Sequence, residues 1–201
     1  MKITAGTMID AQHEVRLLSS RKKLGCFPDL NILRHTVTEQ YPQIVCDWND
    51  FGRGCPGVRL LMLAAVLTTA DSGTMPDRNT GVIGWNGSGC TAENLKFWQD
   101  YVQNGREHGR GGLFVATLPT IPCCEAAIAL GCHGPSAYFR TVPSTDALFR
   151  LLAGRPHGSY LIGEITGDSV CMLKLETDGT SPALPDFPDL GQLFRHLEKN
   201  G

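Results

Sequence analysis

Gly81-Val82-Ile83-Gly84-Trp85 runs through Asn86-Gly87-Ser88-Gly89-Cys90 into Thr91-Ala92-Glu93-Asn94-Leu95-Lys96-Phe97-Trp98-Gln99-Asp100-Tyr101-Val102. A short apolar run bounded by glycine reads as a buried strand. Thr91 can cap a helix, and Leu95, Trp98 and Val102 recur at helical spacing. The stretch is therefore a strand, a glycine turn and a helix. Upstream, Val58 to Ala70 is rich in strong helix formers with few polar positions, as in a helix buried on most sides, and it stops at Asp71-Ser72-Gly73. Pro76 to Asn79 is a turn. Downstream lies the apolar run Gly111 to Pro119, then a helix over Ile121 to Leu130 opened by Pro122 and closed by Gly131. Gly134 to Val142 reads as a strand, and Ser144 to Ala153 as a helix capped by Ser144 or Thr145. Ser159 to Glu164 and Ser169 to Leu175 are strands joined by Ile165 to Asp168. A proline-bearing loop from Asp178 to Phe187 precedes a terminal helix over Leu190 to Leu197. The first fifty residues give an apolar start (Met1 to Met8), a basic patch and a loop-like stretch of poor periodicity. The expected class is α/β, a mixed sheet of about five strands with helices packed on it, in one domain over residues 1–201.

Composition narrows the function classes. Of 201 residues 42% are apolar and 19% charged, enough to build a core. No run approaches the roughly 18 apolar residues of a membrane span, and the start lacks a secretory apolar stretch, so a cytoplasmic protein is expected. Eighteen basic against 20 acidic residues, with no basic block among aromatics, argue against a nucleic-acid partner. The eight cysteines do not fall into zinc-knuckle spacings, and those in apolar segments are expected to fill core. Gly84, Gly87 and Gly89 match neither a dinucleotide nor a Walker pattern, and Ser88 is not a nucleophile elbow because position 86 is Asn. No cofactor and no metal are expected.

The order of segments over roughly residues 55–176 resembles the N-terminal half of the β-ketoacyl synthases, a thiolase-fold family that extends acyl chains held on acyl carrier protein. The helix from Val58 resembles the family's early buried helix, and Gly81 to Gly89 resembles its strand ending in a glycine-rich turn. Leu118-Pro119-Thr120-Ile121-Pro122 with Ala126 to Pro135 resembles the stretch leading to the nucleophile strand, and Gly167 to Glu176 the strand that closes the first half. In that register the eighth residue after Pro135, the family's acylated cysteine, is Pro143, which has no nucleophilic atom. The adjacent Ser144 belongs to a helix start, and the half that carries the catalytic histidines is missing.

The resemblance implies a truncated, non-catalytic partner comparable to the chain-length factors of type II systems, binding an active enzyme of fatty-acid or polyketide (aryl polyene-like) assembly. It implies a partner interface along Ser136, Ala137, Tyr138, Phe139, Arg140, Thr141 and Val142, near the helix over Pro122 to Leu130, in a homodimer or a heteromer with a ketosynthase or dehydratase. A half cut from the shared core should also expose an apolar face. Two other readings stand beside this one. A cysteine-dependent acyltransferase or hydrolase would use Cys90, Cys123, Cys124 or Cys132 activated by His133 or His108. An acyl-carrier docking module would use Arg16, Arg21, Lys22 and Lys23.

Overall fold

The structure is a computed structural model that describes residues 1–85, 90–107, 110–140, 142–154, 158–179 and 184–200. The chain opens with β1 (Lys2–Ile9), β2 (Glu14–Leu17), β3 (Lys23–Cys26) and α1 (Leu30–Gln40). It continues through α2 (Pro56–Ser72), β4 (Gly81–Trp85), α3 (Thr91–Asn104), α4 (Gly111–Ala116), α5 (Ile121–Leu130) and β5 (Ser136–Phe139). The last elements are α6 (Thr145–Ala153), β6 (Gly158–Thr166), β7 (Ser169–Thr177) and α7 (Leu190–Asn200). The strands form one sheet in the order β3-β2-β1-β7-β6-β4-β5. Its β4, β5 and β6 are parallel and the remaining pairings antiparallel. The class is α/β with a mixed sheet as expected, but of seven strands rather than about five.

The additional strands come from the first fifty residues, which are not loop-like. β1 lies inside the sheet between β2 and β7. Its Thr4, Gly6 and Thr7 hide the apolar pattern by which an inner strand is usually read. Gly6 is required there, since a Cβ would stand 2.8 Å from Leu173 Cδ2. The Asp71 carboxylate accepts from the Gly6, Ser19 and Ser20 N–H groups, tying this hairpin to the end of α2.

α2 is the centre of one core. Pro56 stands in its first turn, Gly73 closes it in the left-handed conformation, and Val58 and every residue from Leu60 to Thr69 are buried. One side rests on the sheet. The other is covered by Leu33 and Val37 of α1 and by Ile44 and Phe51 of the segment that follows. The guanidinium groups of Arg34 and Arg59 lie over the Phe51 ring at 5.4 and 5.7 Å. The far side of α2 is therefore covered by the chain's own residues. On the other side of the sheet α6 and α7 bury Leu148, Phe149, Leu152, Leu190, Leu193 and Phe194 in a second core. Truncating Leu61 to alanine empties space between α2 and the sheet and should cost about 2–5 kcal/mol. Urea titration should show the midpoint falling with its slope unchanged.

Candidate functional site

β5 is one edge of the sheet: β4 pairs with it on one side and, among the described residues, no strand lies on the other. Its approach is fixed by a close backbone contact. Gly134 lies so near the preceding turn that a Cβ would be 2.3 Å from the Asn79 carbonyl oxygen and 2.5 Å from Thr80. The His133 N–H donates to Arg78 O at 2.6 Å and Val82 N–H to Pro135 O at 3.0 Å, setting the β4–β5 register. Along β5 the side chains alternate. Ala137 and Phe139, with Val142 beyond the strand, pack on the α6–α7 side. Tyr138 turns to the opposite face, where with Gly84, Cys90, Pro119, Pro122 and Cys123 it lines a narrow cavity of about 30 Å³. Ser136 and Arg140 are exposed, and Thr141 lies outside the described residues.

The same cavity joins β5 to the root of an arm made by α3 and α4. No residue of α3 is buried. Leu95, Trp98 and Val102 are 56%, 61% and 63% exposed, and Leu113, Phe114, Val115 and Leu118 of the α4 region are exposed as well. The arm holds itself together from within. Phe97 packs edge-on against Phe114 with centroids 6.0 Å apart, Tyr101 stacks on Phe97 and Trp98, and Arg110 pairs with Asp100 beneath Tyr101. Asn94 Nδ2 donates to Cys90 O at 2.8 Å. Ile128, 58% exposed on α5, adds to the apolar surface. The stripe at positions 95, 98 and 102 is visible in the sequence as a helical face. That no described residue covers it is visible only in the fold. An apolar patch of this extent beside an open strand edge is the kind of surface that partners bind.

Nucleophilic chemistry finds little support. Pro143, where the family's nucleophile is expected, is exposed between β5 and α6. The Ser144 hydroxyl accepts from Ala147 N–H as the N-cap of α6. The Asp186 carboxylate accepts from Asp146 N–H at 2.8 Å and from the Thr145 hydroxyl at 3.3 Å. Chiefly the Asp146 N–H bond, helped by Ser144 and Thr145, holds the Asp186 carboxyl below its ordinary pKa. The helix terminus that could otherwise stabilise a thiolate or oxyanion thus already serves a carboxylate.

The four candidate cysteines are held as thiols rather than activated as thiolates. Burial pushes the Cys123 thiol up to about 12 and those of Cys90 and Cys132 to about 11, and it also raises Cys124. Among the described histidines none hydrogen-bonds a cysteine. His133 is exposed in the turn before β5, and His108 lies outside the described residues. Iodoacetamide at pH 8 should label exposed Cys26 first and leave Cys123 and Cys171 unmodified until the chain unfolds. Folding retains these thiol protons, so the stability they contribute is complete below the ordinary thiol value of 9.0. It is lost as pH rises toward 11–12. A melting series should therefore fall above pH 9.

An ion pair sets Arg16 apart from the other three basic residues. Arg16 donates to Glu198 at 2.9 Å and lies over the Phe194 ring, committed to α7. Arg21, Lys22 and Lys23 are exposed around the β2–β3 turn, with Lys23 3.9 Å from Glu14. That turn and β5 stand at opposite edges, about 29 Å apart at the usual strand spacing. Among the described residues no three His, Cys, Asp or Glu side chains converge to hold a metal ion. No described helix is long and apolar enough to cross a membrane.

No protein-family model matches the chain, and no curated protein matches it in sequence. Solved structures do. A chain of the ketosynthase ApeO in complex with its chain length factor ApeC, from Xenorhabdus doucetiae, superposes with a TM-score of 0.63 at 13% identity. The match covers 100% of this chain and 92% of that chain. A chain of the ishigamide ketosynthase/chain length factor superposes with a TM-score of 0.53 at 13% identity, over 91% of this chain and 63% of that chain. The fold is the ketosynthase-like thiolase fold that these chains share.

Proposed function

We propose that the chain is a non-catalytic, chain-length-factor-like subunit that binds and stabilises a ketosynthase. The observation that carries this reading is the open edge of β5 lying beside an arm whose aromatic and aliphatic side chains nothing among the described residues covers. An edge strand offers backbone groups to a second strand, and large exposed aromatics supply the anchors from which interfaces take most of their affinity. Ser136 to Val142 would form the strand contact and Leu95, Trp98, Val102 and Phe114 its apolar flank. The occupied N-terminus of α6 and the proline at position 143 fit a subunit that does not form an acyl-enzyme. Two structural neighbours come from ketosynthase and chain-length-factor assemblies, which supports a ketosynthase as the partner.

A type II fatty-acid or polyketide system, aryl polyene-like in kind, is the pathway class that follows, with the work done in the cytoplasm. A dehydratase as partner and a homodimer are the competing assemblies; acyl carrier protein would be met through the ketosynthase. The test is a condensation assay with purified proteins. A type II ketosynthase from the same source should gain activity or product length when the chain is added, and the chain alone should yield no product and no acylated cysteine. Unchanged ketosynthase behaviour at saturating chain would overturn the reading.

A further inference from the structure

A different cleft lies on the α7 face of the sheet, across from α2 and away from the β5 edge. Its floor is a row of cross-strand neighbours. Arg16 opposes Met8, Met8 opposes Cys171, and Cys171 opposes Glu164, so four adjacent strands each contribute one side chain. The row spans about 14 Å at the usual strand spacing. One step toward the strand ends, Ser169 opposes Thr166 and both line the cleft. The first turns of α7 form the roof, and the space between is about 780 Å³, within the range of small-molecule sites.

Gly191 keeps this space open. A Cβ there would meet Met8 Cε at 3.2 Å, Asp189 Oδ1 at 3.3 Å and Arg195 Nη1 at 3.6 Å. The polar groups around it divide into two sets. The carboxylates are engaged: Asp10 accepts from the Gln12 and Glu14 N–H groups, Asp189 from the Gln192 backbone and side chain, and Glu164, 5% exposed, from Leu190 N–H at 2.6 Å. Of the donors, Arg16 is held by Glu198, and the others are not engaged among the described residues. Arg195 makes no ion pair or hydrogen bond among the described residues, and neither do the hydroxyls of Ser169 and Thr166. Unspent donors beside the apolar Met8 side chain call for a ligand with a compact acceptor group and an apolar body.

We propose that this cleft binds a small organic carboxylate, its two oxygens on the Arg195 guanidinium fork and the Ser169 and Thr166 hydroxyls, its apolar body against Met8. The planar fork suits a carboxylate better than a point cation would. This site is independent of the partner surface at β5.

Benzoate is a suitable probe, with benzamide as its neutral counterpart of the same shape. Calorimetric titration of the full chain should show saturable benzoate binding. Arg195→Gln, which alters an exposed side chain, should weaken it at least tenfold. Gly191→Leu should do the same by filling the cleft while favouring the helix. Benzamide should not bind. Absence of saturable benzoate binding, equal binding of benzamide, or wild-type affinity in Arg195→Gln would each overturn the proposal.

Discussion

Trp98→Asp should weaken the complex with the ketosynthase by about 30- to 1000-fold while leaving the isolated chain folded. The magnitude follows from the usual loss of about 2–4 kcal/mol when a central aromatic anchor is removed from an interface. The direction follows from exposure: Trp98 is 61% exposed on a helix with no buried residue, so its replacement removes little of either core. Its contact with Tyr101 is internal to the arm. A charge placed there should even improve solubility of the chain alone, because an apolar patch is interrupted. Paired measurements of melting temperature and of affinity by surface plasmon resonance separate the two effects. An unchanged affinity would remove the arm from the interface and leave the β5 edge to be tested on its own.

Gly134→Ala should do the opposite, damaging the fold first and binding as a consequence. The added Cβ would fall 2.3 Å from Asn79 O and 2.5 Å from Thr80, both backbone atoms that cannot rotate aside. Relief requires the turn before β4 and the turn before β5 to separate, against the His133–Arg78 and Val82–Pro135 hydrogen bonds. Overpacking without a soft neighbour costs about 1–3 kcal/mol, and loss of either hydrogen bond adds about 1 kcal/mol. Chemical denaturation should show a midpoint well below wild type, and hydrogen exchange at β4 and β5 should accelerate before that of α2. Gly191→Leu offers a contrast, since the nearest atom there is the end of the Met8 side chain, which can move.

The two glycines show what a sequence can and cannot convey. Gly134-Pro135 is readable as a punctuation mark before a strand, and the strand is there. The close approach to residues 79 and 80 depends on a contact more than fifty residues away in the chain. The long elements were legible because they obey local rules: α2 from its apolar helix formers between Pro56 and Gly73, α5 from Pro122 and Gly131, and α6 from its Ser144 cap. The parallel and antiparallel strands β4, β6 and β7 were legible as apolar runs. The first three strands were not, since β2 and β3 have only four residues each and β1 mixes threonine and glycine with its apolar positions.

The site divides in the same way. The β5 stretch could be read as a strand from its β-favouring aromatics, and Tyr138 and Phe139 alternate across the sheet as strand residues must. The arm could not. Leu95, Trp98 and Val102 have the spacing of a core-facing stripe, and amphipathic spacing alone does not say whether the facing surface belongs to the same chain. Likewise the basic residues near the start look like one patch in sequence, whereas Glu198 on the last helix takes Arg16 away from the other three.

Native mass spectrometry of the chain co-expressed with a type II ketosynthase from the same source tests the central claim most directly. The account predicts a defined complex containing both chains, with hydrogen exchange slowed over residues 91–104 and 136–140 relative to the chain alone. A chain that stays monomeric beside the ketosynthase, with those segments exchanging as fast as before, would contradict it.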